Sequence, residues 1–407
     1  MKNKIVLYGA FDRYNYGDNL MPILLKMYLE KYQPSLLESY ELVYSSISDS
    51  DLSQYGCLPS QNISSVIKKL TSDDVIIVVG GAVLCTSNLT LYFHMPKPKR
   101  LSRIFSLFSN SSRSVIRKSF KAFVDLVYKS PWDYPYLPEP LHLPEKVSVR
   151  YNTVGGGFST VPMLEQVAIK ARLEKATYIS ARDTKTLNNL YSLSTTIPSV
   201  ELYPDSAFLM SDLCSDEFLN QNVSSNVKHF VDSSYLIFQA APKKLGDSIE
   251  NLAIKLSEAY NRTNKRILLL PIGYAAGHDD YELLLKLHKL IPNISDIKYN
   301  LNIWEIMYLI KHSECYIGTS LHGVITAMSF GIPHFGINPK VGKLDSFLKD
   351  WSFFPFNRCY SVQDITSLTS FLLCYDSQLK ENSEKLKKLV QANNKKLFSF
   401  NTYQTLD

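Results

Sequence analysis

Short, unbroken apolar runs alternate along the chain with longer stretches in which apolar residues recur every three or four positions. Ile5-Val6-Leu7-Tyr8 and Val75-Ile76-Ile77-Val78-Val79 are unbroken, the pattern of parallel strands buried on both faces. Leu20, Leu24, Leu25 and Tyr28 share one face of a helix predicted over about 18–32, which follows a strand at 4–9. The alternation continues with strands at 147–154, 177–180 and 200–203 and helices near 162–174 and 183–192. A second series has strands at 235–239, 266–271, 315–318 and 334–337. Its helices fall near 246–262, 279–291, 303–312 and 321–330, with more helix from 343 onward.

Two stretches interrupt this rhythm. Residues 94–145 contain Pro96, Pro98, Pro131, Pro135, Pro138, Pro140 and Pro144, too many for helix or central strand, and read as an insertion. Residues 211–230 are rich in Ser, Asn and Asp and mark a domain boundary. The expected organisation is an α/β chain with two Rossmann-like domains, residues 1–210 and 211–407, facing across a cleft. Ligands in such sheets sit beyond the carboxyl ends of the strands, so candidate chemistry is sought there.

Composition narrows the class. The 407 residues carry 44 Lys+Arg against 38 Asp+Glu, a net charge of +6 that permits anionic ligands but is not that of a dedicated nucleic-acid binder. Cys57, Cys85, Cys214, Cys315, Cys359 and Cys374 form no CxxC pair, so neither a metal site nor a disulfide framework is indicated and buried free thiols are expected. The N-terminus enters a strand directly and no run of about 20 apolar residues occurs. A cytoplasmic protein is expected.

Four loops after strands carry candidate chemistry. Asp12 to Asn19 includes Arg13, Asn15, Gly17 and Asp18: backbone N–H groups and Arg13 suit an anion, and Asp18 serves either as a helix cap or as a base. Gly80-Gly81 and Gly155-Gly156-Gly157 allow close approach to the backbone, yet lack the spacing of a dinucleotide fingerprint. Arg182 stands at a strand tip where its fork suits a carboxylate or phosphate, with Asp183 as cap or partner and Asp205 after Pro204 to orient neighbours. In Gly318-Thr319-Ser320-Leu321-His322-Gly323, His322 falls in the first turn of a helix, with Thr319 and Ser320 as hydroxyl donors. His278 is a weaker candidate beside Asp279 and Asp280, one of which is expected to cap a helix.

Taken in order, these loops resemble the polysaccharide pyruvyl transferase family. The resemblance rests on Asn15-Tyr16-Gly17-Asp18, Gly80-Gly81, Ser180-Ala181-Arg182-Asp183, Pro204-Asp205, and Leu321-His322-Gly323 with Ala327 and Gly331-Ile332-Pro333. It implies a fold similar to glycosyltransferases of the two-Rossmann-domain (GT-B) type. It also implies transfer from phosphoenolpyruvate, as co-substrate with no cofactor, to two hydroxyls of a sugar, giving a pyruvate ketal. Arg182 and His322 would then meet phosphoenolpyruvate, with Asp18 or Asp183 accepting a sugar proton. One departure stands out: family members often carry Arg two residues before the histidine, where this chain has Ser320. Arg13, Lys340 or Lys343 are the cations left to compensate. A nucleotide-sugar glycosyltransferase of the same architecture, or a scaffold that has lost the chemistry, are the competing readings.

The insertion adds one partner. Residues 97–124 hold Lys97, Lys99, Arg100, Arg103, Arg113, Arg117, Lys118 and Lys121 and no acid, with apolar residues at helical spacing. They form either a basic amphipathic pair on an anionic membrane, where a lipid-linked acceptor would be found, or a packed hairpin with a solvated face.

Overall fold

The computed structural model describes residues 2–93, 123–128, 130–159, 161–273 and 280–400. Strands β1 (Asn3–Tyr8), β2 (Tyr40–Ser46), β3 (Gln61–Asn62), β4 (Val75–Val79), β5 (Ser148–Val154), β6 (Tyr178–Ala181) and β7 (Val200–Leu202) form one parallel sheet. Its order is β3-β2-β1-β4-β5-β6-β7. Strands β8 (Tyr235–Gln239), β9 (Arg266–Leu269), β10 (Ser295–Ile297), β11 (Cys315–Gly318), β12 (His334–Ile337) and β13 (Cys359–Tyr360) form a second, in the order β10-β9-β8-β11-β12-β13. The fold is thus α/β with two Rossmann-like sheets.

The unbroken apolar strands are explained by burial on both faces. In β1, Ile5 and Leu7 join the core between the sheets, whereas Val6 and Tyr8 join the core on the far side. In β4, Val75, Ile77 and Val79 face the first core and Ile76 and Val78 the second. The helices Tyr16–Tyr32, Ile303–Lys311 and Leu321–Ser329 fill the space between the sheets.

The strands that the apolar pattern missed lie at sheet edges or, for β2, one strand in. β2 is mostly half-buried, and β3, β10 and β13 are two or three residues long, too short to show a period. The expected linker at 211–230 is folded into short helices, Met210–Leu213, Asp216–Asn222 and Ser225–Phe230. The last helix, Asp376–Leu397, crosses back toward the first sheet. Asn393 there donates to Asn152 at 2.8 Å and accepts from Tyr178 at 2.7 Å. Arg150 of β5 donates to the carbonyls of Leu397 at 2.8 Å and Ser399 at 3.1 Å, and its guanidinium lies over Phe400.

Of the cysteines, Cys57, Cys214, Cys315 and Cys359 are buried free thiols as expected, but Cys85 is half-buried and Cys374 exposed. The basic stretch 97–122 lies outside the described residues. The proline-rich segment after it packs firmly: Trp132, Tyr134, Tyr136 and Leu137 are buried against the first sheet.

Candidate functional site

In each sheet the strand order reverses once, between β1 and β4 and between β8 and β11. Open α/β sheets bind ligands at such switch points, and here the two face each other. The cleft between them is lined by Arg13, Asn15 and Asp18 after β1, Gly81 after β4, Gln239 at the end of β8 and Lys244 after it, and Thr319 to His322 after β11. Arg182, Asp280, Tyr136 and Lys343 complete the walls. The halves touch directly, since Asn15 bridges to Gly273 and the Tyr16 N–H donates to the Ile272 carbonyl at 3.4 Å.

His322 sits in the first turn of the helix Leu321–Ser329, whose N-cap is Ser320. Its Nε2 is 3.6 Å from Asp205 Oδ2, and Arg182 Nη1 is 3.5 Å from the same oxygen. Asp205 is fully buried and Arg182 only 2% exposed. Burial alone would raise the Asp205 pKa; contact with His322, then the Arg182 charge, outweighs it and holds the carboxyl below its usual value. Arg182 Nε, Asp205 Oδ2 and His322 Nε2 are all buried without a hydrogen bond. Buried polar atoms in that state call for a partner, and the cleft beside them is where a ligand would supply one.

Glycines make room for these side chains. A Cβ at residue 155 would stand 2.6 Å from Arg182 Nε, and one at residue 17 would overlap the His322 ring. Gly81 (φ +76°) lines the cleft, while Gly80 (φ +49°) stands behind it against Met21; both need left-handed backbone.

Comparison with known proteins agrees with the motif order. The polysaccharide pyruvyl transferase family profile matches residues 15–340. This chain belongs to the polysaccharide pyruvyl transferase family. No curated protein sequence matches it significantly. Among solved structures it is similar to the UDP-GlcNAc 2-epimerase of Neisseria meningitidis, at 12% identity and a TM-score of 0.54, with 97% of this chain and 100% of that one covered. The S. aureus MnaA–UDP structure is similar at 13% identity and a TM-score of 0.54, covering 98% and 95%. So is the Methanocaldococcus jannaschii UDP-GlcNAc 2-epimerase, at 13% and 0.54, covering 96% and 99%. At such identities the likeness is one of fold: two Rossmann-like domains, as in GT-B enzymes.

As a family member the protein is a transferase, and the structure sorts its candidate residues. His322, Arg182, Asp205, Asn15, Asp18 and Gly81 converge on the cleft of this pyruvyl transferase. Asp18 does not cap its helix. Asn15 does, accepting from the Gly17 N–H at 3.2 Å, because the helix begins at Tyr16 rather than at 18. Asp183 caps the helix Thr184–Leu193 through Thr186 and is buried behind the cleft wall. Arg13 lines the cleft, but Asp12 grips it in two hydrogen bonds of 3.0 and 2.8 Å and neutralises its charge. The Ser320 hydroxyl accepts from the Gly323 N–H at 3.4 Å, and Thr319 Oγ1 accepts from the Ala241 N–H at 3.1 Å, so both are engaged in shaping the loop. Gly323 abuts the Tyr316 hydroxyl. Lys340 is not among the lining residues, and His278 lies outside the described residues.

Among the lining residues that the sequence reading did not take as site groups are Gln239, Lys244 and Asp280. Gln239 Nε2 donates to Asp280 Oδ2 at 2.7 Å, while its Oε1 accepts from the Thr319 N–H at 3.2 Å. Asp280 holds the N-cap position of the helix Tyr281–Leu290 without capping it by side chain. Burial, opposed by the hydrogen bonds from Gln239 and Ile272, pushes its pKa up to about 6. The one available signal was Gln239 itself, a polar residue closing the apolar run Tyr235–Phe238. Among the described residues no cluster of three or more His, Cys, Asp or Glu is placed to hold a metal ion.

Proposed function

We propose that this pyruvyl transferase moves an enolpyruvyl unit from phosphoenolpyruvate onto a sugar of a lipid-linked surface-polysaccharide precursor, closing a pyruvate ketal. The observation that carries this reading is the convergence of Arg182 and His322 on the cleft against the buried Asp205 carboxylate, with Arg182 Nε and His322 Nε2 left without hydrogen-bond partners. Phosphoenolpyruvate offers a carboxylate and a phosphoryl group, which such cations bind.

In this mechanism His322 protonates C3 of the enol. A sugar hydroxyl bonds to C2, the C2–O bond to phosphate breaks, and a second hydroxyl closes the ring. Two hydroxyl protons are lost: one balances the proton on C3 and the other leaves on hydrogen phosphate. Asp205 orients the imidazole, Arg182 clamps the carboxylate or phosphate, and Asp18 is a cleft carboxylate available to a hydroxyl proton. Asp183, committed to its cap, is no longer the favoured base. Membrane contact through residues 97–124 would bring a lipid-linked acceptor to the cleft; among the described residues no helix is long and apolar enough to cross a membrane.

Titration of the protein with phosphoenolpyruvate, and phosphate release with glycolipid acceptors, test the reading. Binding without acceptor, then phosphate release with it, is expected; a folded protein that binds no phosphoenolpyruvate overturns it. The similar Neisseria meningitidis epimerase and S. aureus MnaA structures hold UDP-GlcNAc and UDP respectively, which favours a nucleotide-sugar glycosyltransferase as the second reading. Stabilisation by UDP alone would select that one.

A further inference from the structure

The cleft holds a second cationic feature that the mechanism above does not use. Lys244, on the turn after β8, and Lys343, at the start of the helix Gly342–Trp351, both line it. They are 99 residues apart in sequence, and the fold brings them to one wall with Arg182.

Their placement is unfavourable for an empty protein. Lys343 occupies the first helical turn, where the peptide dipoles already present a positive end. Val341 supplies no side-chain cap there. Neither ammonium is ion-paired with a carboxylate among the described residues. Lys343 is exposed in the cleft; loss of hydration, followed by the charges of Lys244 and Arg182, shifts its pKa downward, with Asp18 opposing. Lys244 is also shifted down by burial, against the pull of Asp280 and Asp18. The other charged neighbour is Lys185, whose Nζ would be 3.5 Å from a Cβ at Gly342. Arg182 is matched by Asp205 and Asp183; the two lysines have no such match. Like charges crowd where nothing resident neutralises them, the condition a dianionic ligand relieves.

We propose that Lys244 and Lys343 are specificity-determining residues that grip the phosphoryl dianion of the donor, leaving Arg182 and His322 to its carboxylate and reacting carbons. This rests on the pyruvyl transfer reading, and it assigns the two ends of the donor to different cations of the cleft.

Calorimetric titration of the full chain with phosphoenolpyruvate and with inorganic phosphate tests it, using Lys244→Met, Lys343→Met and Lys343→Arg. Each methionine variant is expected to lose about tenfold in affinity for both ligands, in the range of one charge-assisted contact. Lys343→Arg should restore binding. Above pH 7 the phosphoryl group is already dianionic, so wild-type affinity should fall as rising pH removes the Lys343 proton, and Lys343→Arg should abolish that slope. Methionine variants that bind phosphoenolpyruvate as wild type does overturn the inference and leave pyruvyl transfer standing. Lysine-dependent binding of phosphate without any of phosphoenolpyruvate keeps the phosphoryl grip and rejects the donor. A wild-type protein that binds neither overturns both.

Discussion

The imidazole of His322 rests against the backbone of Gly17, so close that a methyl group at residue 17 would overlap its Nδ1 and Cγ. The two residues come from different halves of the molecule, one from the helix after β1 and one from the helix after β11. The glycine in the first turn of the helix Tyr16–Tyr32 therefore sets the position of the histidine 305 residues later.

Gly17→Ala is expected to fold normally, because residue 17 is helical and has no positive φ. Its methyl group must displace the ring, and misplacement by about 1 Å costs roughly 100-fold in rate. Steady-state kinetics beside a circular-dichroism melt checks this: activity should collapse while the melting temperature holds.

Asp205→Asn keeps the acceptor for the Ala207 N–H, which is 3.1 Å from Oδ1, but removes the charge that faces Arg182 and His322. Leaving a buried guanidinium short of its counter-charge should cost about 3 kcal/mol in urea unfolding at pH 7. The wild-type carboxyl is depressed in the folded state. Its stabilisation is therefore present above the unfolded pKa, near 4, and is lost as pH falls through the lower folded value. Wild type and variant should converge at strongly acid pH.

Asp280 has the opposite sign. Burial raises its folded pKa to about 6, so the ionised form costs stability above that value, on the order of 2–3 kcal/mol from the size of the shift. The cost disappears as pH falls below the unfolded pKa. Asp280→Asn retains an acceptor for Gln239 and Ile272 and should melt higher than wild type at pH 8, with the gap closing at pH 4. A differential scanning series across that range reads it.

Arg150→Ala should release the chain end. The guanidinium ties the carbonyls of Lys396, Leu397 and Ser399, and removing bonds of this charged type should cost about 2–4 kcal/mol. Hydrogen exchange should speed up first in the last turns of the helix Asp376–Leu397 and leave β1 and β4 protected.

Much of this was legible before folding because burial on both faces leaves an unmistakable trace. β1 and β4 read as central strands from their apolar runs, and the loops that follow them carry Asn15, Asp18 and Gly81 to the cleft. His322 and Arg182 were legible for the same reason, each sitting one or a few residues past a strand end. What sequence could not supply was convergence. Lys244 and Asp280 are ordinary charged residues in ordinary loops until β8 and β9 place them side by side. Arg13 looked like a free cation because Asp12, its neighbour in sequence, gave no sign of folding back onto it. Ser320 looked like a donor-binding hydroxyl, whereas the helix start claims it as a cap.

The return of the last helix has a mechanical consequence. The backbone passes between the halves twice, once through 203–234 and again along Asp376–Leu397. The halves are therefore lashed together by two chain crossings, by the core they share and by the contact of Asn15 with Gly273 beside the cleft. Loss of any one of these leaves the others to hold the spacing across which Gly17 meets His322.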